Sequence, residues 1–199
     1  MKIGVLGIQG DIQEHLAVIK KLGHEALWIR DSDALKAVDA LVMPGGESTT
    51  MTKLLKRFAI WEPLRKSINS GMPVFATCAG MILLSRGIEN YPAQDTLGVL
   101  DVTIERNGYG RQVDSFEADL YVNYFGDVPF RAVFIRAPKI ATTGKEVEVM
   151  ASFGGTPVLV RERNIIAASF HPELTDDVRL QRYFLDMVGN SIEDATSRM

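Results

Sequence analysis

Cys78 is the only cysteine among 199 residues, and it sits in the segment Pro73-Val74-Phe75-Ala76-Thr77-Cys78-Ala79-Gly80-Met81. An apolar, strand-like run stops at the thiol, small residues flank it, and a helical pattern begins beyond it. That order fits a nucleophile elbow, a sharp strand-to-helix turn that lifts one side chain above a sheet and accepts only small neighbours. Unpaired N–H groups at the start of the following helix favour a thiolate there. Taken alone, a cysteine in an apolar run is more often core packing.

His171-Pro172-Glu173 supplies what such a thiol would need. These residues close the apolar run 165–170, and Pro172 keeps a helix from starting immediately, so the His and Glu lie in a short extended corner. A thiol requires a base, and the base requires a third group to fix its tautomer. Cys78, His171 and Glu173 therefore offer nucleophile, base and orienter, although His171 alone would read as a packing or capping histidine. In open α/β sheets ligands bind beyond the carboxyl ends of the strands, and both Cys78 and His171 fall at such ends.

A third strand end carries Pro44-Gly45-Gly46-Glu47-Ser48. Two glycines allow close backbone approach, and their N–H groups can face a developing oxyanion. No Gly-Lys-Ser/Thr follows, so this is not a phosphate-binding Walker loop. Gly4-x-x-Gly7-x-x-Gly10 likewise lacks the opening Gly-x-Gly of a dinucleotide fingerprint. Ser48 is a poor nucleophile candidate because Gly46-Glu47-Ser48 lacks the second glycine of a serine elbow. Arg106 and Arg136 each end a predicted strand, where a guanidinium suits a substrate carboxylate, or simply solvent.

The elements that must position these residues alternate in the first half. Segments 2–8, 25–30, 40–43 and the run ending at Cys78 read as strands. Between them fall a helix with Ile12, Leu16 and Ile19 on one face, a helix opening with Ser48-Thr49-Thr50 as capping candidates, and another over 61–69. This alternation implies βαβ units and a parallel sheet. The second half is strand-rich, over 99–105, 116–122, 132–137, 147–152, 157–161 and 165–170. A final helix then follows with Leu180, Tyr183, Phe184, Met187 and Val188 on one stripe. The expected architecture is an α/β fold, a mostly parallel central sheet flanked by helices with additional antiparallel strands in the second half. It forms one domain over 1–189 with a fraying polar tail over 190–199.

Composition narrows the partners. A net charge of −3 gives no surplus of positive charge for phosphate backbones, so nucleic acid is not expected. One cysteine forms no internal disulfide, which fits a reducing, cytoplasmic setting. With only His15, His24 and His171 beside it, a four-ligand structural zinc site is not expected either. The longest apolar stretch, near 74–84, is too short to span a bilayer, and the N-terminus lacks the apolar region of a signal peptide.

Elbow cysteine, Gly-Gly loop and His-Pro-Glu, in that order, resemble the class I (triad) glutamine amidotransferases, whose fold is flavodoxin-like and three-layered. Within that class the chain is similar to the glutaminase subunits of pyridoxal 5'-phosphate synthases. The stretches that carry the likeness include Gly4-Val5-Leu6-Gly7-Ile8-Gln9-Gly10, Pro44-Gly45-Gly46-Glu47-Ser48-Thr49-Thr50 and Thr77-Cys78-Ala79-Gly80. Further on they include Glu105-Arg106-Asn107, Gly110-Arg111-Gln112-Val113-Asp114-Ser115-Phe116-Glu117, Phe134-Ile135-Arg136-Ala137-Pro138 and Ser169-Phe170-His171-Pro172-Glu173-Leu174-Thr175. They run from the first strand to the last helix.

The resemblance implies Cys78 as nucleophile, His171 and Glu173 as the rest of the triad, and backbone N–H groups near Gly46 and Ala79 as the oxyanion hole. It matches Gly46, Glu47, Ser48, Arg106, Ile135 and Arg136 to L-glutamine contacts, and implies no metal and no cofactor. The implied partner is a separate synthase subunit that combines the released ammonia with a pentose phosphate and a triose phosphate, and whose docking completes the oxyanion hole. Ala76 departs from the glycine expected two residues before the cysteine in many members; alanine is still small enough for the turn. An amidotransferase feeding another acceptor and a non-catalytic regulatory module remain the alternatives.

Overall fold

The computed structural model describes residues 1–109 and 115–197, the side chains of 194–196 excepted. Gly110-Arg111-Gln112-Val113-Asp114, which contributed to the resemblance, lies outside the described residues. The chain opens with strand β1 (Lys2–Leu6), helix α1 (Ile12–Lys21), β2 (Glu25–Ile29), the short α2 (Ser32–Leu35) and β3 (Ala40–Met43). Helices α3 (Ser48–Arg57) and α4 (Trp61–Asn69) lead to β4 (Val74–Thr77) and the six-residue α5 (Ala79–Leu84).

Strands β5 (Ser85–Ile88), β6 (Leu100–Glu105), β7 (Ser115–Leu120), β8 (Phe130–Ile135) and β9 (Lys139–Thr143) follow. After them come β10 (Glu148–Phe153), β11 (Thr156–Glu162), β12 (Ile165–Ala168) and a 3₁₀ turn over Pro172–Leu174. Helix α6 (Arg179–Ser197) ends the described chain.

The central sheet has the order β10-β11-β12-β4-β3-β1-β2. Its β12, β4, β3, β1 and β2 run parallel, and β11 and β10 extend it antiparallel. Every residue of β3, β4 and β12 is buried, as expected of parallel strands covered on both faces. On one face lie α1, α6 and the β7–β8 hairpin, packed with Ile12, Leu16, Phe75, Phe134, Phe184 and Val188. On the other lie α3, α4, α5 and β6, around Met51, Leu55, Leu64, Leu83 and Val102. The expected mostly parallel, helix-flanked sheet is what forms.

The second half departs from expectation in detail. Only β10, β11 and β12 join the central sheet; β5-β6-β9 and β7-β8 make small sheets of their own. Strands β5 and β9 were not foreseen. The first strand ends at Leu6 and the last parallel strand at Ala168, both two residues short of the segments read from the sequence.

The tail expected to fray from 190 is instead helical as far as Ser197. Ser191 Oγ donates to the Met187 carbonyl at 2.9 Å and Ser197 Oγ to that of Glu193 at 2.8 Å. Leu180, Phe184 and Val188 anchor this helix, and full burial of each contributes about 1.5–3 kcal/mol.

From β1 the chain moves outward to β2, then returns past β1 to β3. The carboxyl ends of β1 and β3 therefore flank the point where strand order reverses, the usual crevice for a ligand in such sheets.

Candidate active site

Four adjacent parallel strands deliver the floor of the site from their carboxyl ends: Gln9-Gly10-Asp11 after β1, Gly45-Gly46 after β3, Cys78 after β4 and His171 beyond β12. Arg106-Asn107 after β6 and Ile135-Arg136 at the end of β8 form the opposite wall. Together they enclose a pocket of about 340 Å³, within the range of small-molecule sites.

Cys78 occupies an elbow with φ 47° and ψ −107°, its N–H donating to the Ala168 carbonyl at 2.8 Å. The turn forms with Ala76 in place of glycine, since Ala76 lies flat in the sheet between Met43 and Ala167. Gly80 is indispensable to it: a Cβ there would stand 2.3 Å from the Met43 carbonyl oxygen. Asn107 (φ 51°) and Arg136 (φ 44°) also line the pocket with left-handed backbone. Three of the five non-glycine residues with positive φ among the described residues therefore meet here. Such strain, of order 1–3 kcal/mol per residue, is characteristic of functional sites.

His171 is 4% exposed, and its Nδ1 lies 2.7 Å from Glu173 Oε1. Burial opposes its charged form, but hydrogen bonds with Cys78 and Glu173, reinforced by their charges, prevail and raise its pKa to about 10. Glu173 sits behind it with a side chain closed to solvent. Burial would raise its pKa, yet the nearness of His15 at 3.5 Å and the bond from His171 hold it down at about 2. Gly45 lets these groups converge, for a Cβ there would come within 2.4 Å of His171 Cε1 and 3.4 Å of Cys78 Cβ. Sγ of Cys78 also faces the Ile135 carbonyl at 3.9 Å.

In the Gly-Gly loop two N–H groups are engaged, that of Gly45 by Thr77 Oγ1 at 3.1 Å and that of Glu47 by Gln9 Oε1 at 3.2 Å. Gly46 keeps an N–H with no acceptor among the described residues. Ala79 opens α5, where the first N–H groups have no intrahelical acceptor.

The expected serine and threonine cap of α3 is replaced by Glu47, whose carboxylate accepts from the N–H of Thr49 at 3.1 Å and of Thr50 at 2.7 Å. A charged acceptor reaching two orphan donors at the positive end of a helix outcompetes a neutral hydroxyl. Burial works against the Glu47 charge, but these bonds hold its pKa near 2.

The two arginines differ. Arg106 is committed, with Nη1 donating to Gln94 Oε1 at 2.9 Å and Thr49 Oγ1 at 3.1 Å and Nη2 to Glu47 at 3.2 Å. Ser48 Oγ donates to the same Gln94 oxygen at 3.3 Å. Arg136 is exposed and makes no side-chain bond to the described residues.

The candidate site residues read from the sequence line the pocket except Glu173, which stands behind His171, and Gly45, whose N–H is turned to Thr77. Sequence reasoning missed Gln9, Gly10 and Asp11, although the strand-end rule applied to β1 would have found them. It also missed Gln94, which had no local signal, and His15, which shares the apolar face of α1. Asp11, His171 and Glu173 could offer atoms to a metal ion, but the 2.7 Å bond between His171 and Glu173 would have to break first.

Comparisons with known proteins agree in one direction. The profile of the SNO glutamine amidotransferase family matches residues 5–190. A Kosmotoga olearia protein named pyridoxal 5'-phosphate synthase subunit PdxT is 61% identical over 185 residues, 93% of this chain and 96% of the relative. A protein of the same name from Thermotoga petrophila is 59% identical, over 94% of this chain and 100% of the relative. A crystal structure of a glutamine amidotransferase, 49% identical, superposes with a TM-score of 0.89 over 94% of this chain and 98% of that one.

Proposed function

The chain belongs to the SNO glutamine amidotransferase family, and on that premise we propose how its pocket hydrolyses glutamine. It acts as the glutaminase subunit of a pyridoxal 5'-phosphate synthase, releasing ammonia for a separate synthase subunit. The observation that supports the mechanism is the convergence of Cys78 and His171 on either side of Gly45, with His171 Nδ1 bonded to Glu173 Oε1 at 2.7 Å.

The Cys78 thiol passes its proton to His171 as the sulfur attacks the side-chain carboxamide carbon of L-glutamine, and the carbonyl oxygen takes up negative charge beside the N–H groups of Gly46 and Ala79. His171 gives a proton to the departing nitrogen as the C–N bond breaks, freeing ammonia and leaving a glutamyl thioester. His171 then takes a proton from water, the water oxygen attacks the thioester, and glutamate leaves as the thiol re-forms. Glu173 fixes the His171 tautomer throughout. Arg136, uncommitted at the rim, takes the substrate α-carboxylate. Glu47 and Arg106, with Ser48 and Ile135, shape the rest of the subsite. Each proton has its group, and the scheme calls on no metal or cofactor.

Ammonia released into water becomes ammonium, a poor nucleophile, so a partner must enclose its route. That partner also completes the oxyanion hole, in keeping with a loop in which Gly46 alone retains an unengaged N–H. We place the complex in the cytoplasm, where Cys78 stays reduced. Among the described residues no helix is long and apolar enough to cross a membrane.

Glutamate formation measured with and without the synthase subunit, alongside pyridoxal 5'-phosphate formation, tests this reading. Glutaminase turnover should rise on adding the synthase, and the cofactor should form from glutamine only with both chains present. An equal rate in both conditions would remove the docking claim. Failure to support pyridoxal 5'-phosphate formation from glutamine would point to another acceptor or to a regulatory module.

A further inference from the structure

Helix α1 carries a histidine for which the hydrolysis, as derived, has no use. His15 shares a buried face with Ile12, Leu16 and Ile19 and is 2% exposed. A buried imidazole is costly unless its polar atoms find partners. Its Nε2 hydrogen-bonds Thr77 Oγ1 at 3.4 Å and stands in electrostatic contact with Glu173 Oε1 at 3.5 Å. The carboxylate selects the tautomer, because a lone pair facing ionised Glu173 would be repelled, so Nε2 carries the proton.

Glu173 Oε1 is thus held from two sides, by His171 Nδ1 and by His15. Its Oε2 is buried without a hydrogen-bond partner among the described residues. A closed-off carboxylate satisfied at one oxygen only depends heavily on what surrounds that oxygen. A competitor is near, since Asp11 Oδ2 lies 3.3 Å from His171 Nδ1 and is far more exposed. On its other arm, Thr77 Oγ1 also accepts the Gly45 N–H at 3.1 Å, and Gly45 abuts the His171 ring.

We propose that His15 is a positioning residue for glutamine hydrolysis. Through Glu173 it keeps the His171 Nδ1 proton on the buried carboxylate rather than on Asp11, and through Thr77 it holds the Gly45-Gly46 loop against the nucleophile. The inference rests on reading Cys78, His171 and Glu173 as the hydrolytic groups. A histidine kept only for packing would have no such reach.

The test compares His15→Leu, His15→Asn and His15→Gln in the full chain, assayed with the synthase subunit, with Cys78→Ala as reference. Glutamine places an amide N–H as far along the side chain as Nε2, whereas asparagine falls short of Glu173. Leu and Asn variants should lose about tenfold or more in kcat, part of the 10²–10⁴-fold that acid–base catalysis supplies. Their KM should hold, and Gln should restore most of the rate.

The downfield proton resonance of His171 Nδ1–H should shift or broaden in the Leu and Asn variants and return in Gln. Equal rates in the Asn and Gln variants, or an unmoved resonance in Asn, would overturn the proposal, even should the Leu variant fail to fold. An active Cys78→Ala would instead remove the reading beneath it. An inactive Cys78→Ala beside a fully active His15→Asn would remove this inference alone.

Discussion

At the floor of the pocket Cys78 is 7% exposed and His171 4%, and behind His171 stands Glu173, 6% exposed and bonded to it at 2.7 Å. On the facing wall, Arg136 is exposed, and Arg106 is held by Gln94, Thr49 and Glu47. The floor grows from the ends of four adjacent strands of one sheet, the wall from two small sheets joined to it through loops and packing. Bond-making demands fixed geometry and a low dielectric, where a charge-assisted hydrogen bond keeps its strength. Recognition of a charged amino acid demands groups that can exchange a present partner for the substrate. The same pocket therefore keeps its burial on one side and its solvation on the other, with left-handed backbone on both.

That contrast should break most completely at Cys78, the proposed nucleophile. Cys78→Ala should lower glutaminase turnover by at least about 10⁴-fold while leaving the melting temperature close to that of the parent, as loss of a nucleophile does in triad enzymes. Gly45→Ala tests the geometry of the floor. Its methyl group must displace the His171 ring or the loop, and a shift of about 1 Å should cost on the order of 10²-fold in kcat with little change in KM for glutamine.

On the wall the signature should invert. Arg136→Ala should raise KM about 10- to 100-fold with kcat largely kept, the loss of one charge-assisted contact of about 1.5–3 kcal/mol. Steady-state kinetics in the presence of the synthase distinguishes the two patterns, and a fall in kcat alone for Arg136→Ala would erase the division.

The smallest effects are on stability, and they confine themselves to the floor. Glu173 ionises at about 2 in the folded chain against an ordinary 4.5, so its contribution is complete above 4.5 and is lost as pH falls toward 2. His171 is raised to about 10 from 6.5, so its contribution is complete below 6.5 and is lost as pH climbs from there to 10. Thermal melts across pH should show both limbs, with Glu173→Gln flattening the acid one and Cys78→Ala, which deletes a partner of His171, softening the alkaline one.

The residues that were legible beforehand share a property. Cys78, Gly46 and His171 each follow an apolar run that ends abruptly, and Gly71, Pro73 and Pro172 punctuate the chain where elements must stop. Strands β5 and β9 escaped notice because Ser85-Arg86-Gly87-Ile88 and Lys139-Ile140-Ala141-Thr142-Thr143 lack an apolar alternation. They are strands because β6 offers each an edge. The helix continues past 189 for a similar reason, its buried stripe through Val188 carrying a polar last stretch that composition alone reads as frayed.

By itself the sequence determined the parallel sheet, the residues proposed as nucleophile, base and orienter, and the apolar runs that lead to them, since runs, breakers and residue types are local. Tertiary structure alone decided that His15 would stand behind Glu173, that Glu47 would cap α3, and that Arg106 would be committed while Arg136 was not. Those outcomes turn on which distant groups meet within hydrogen-bond distance, and no periodicity along the chain encodes that meeting.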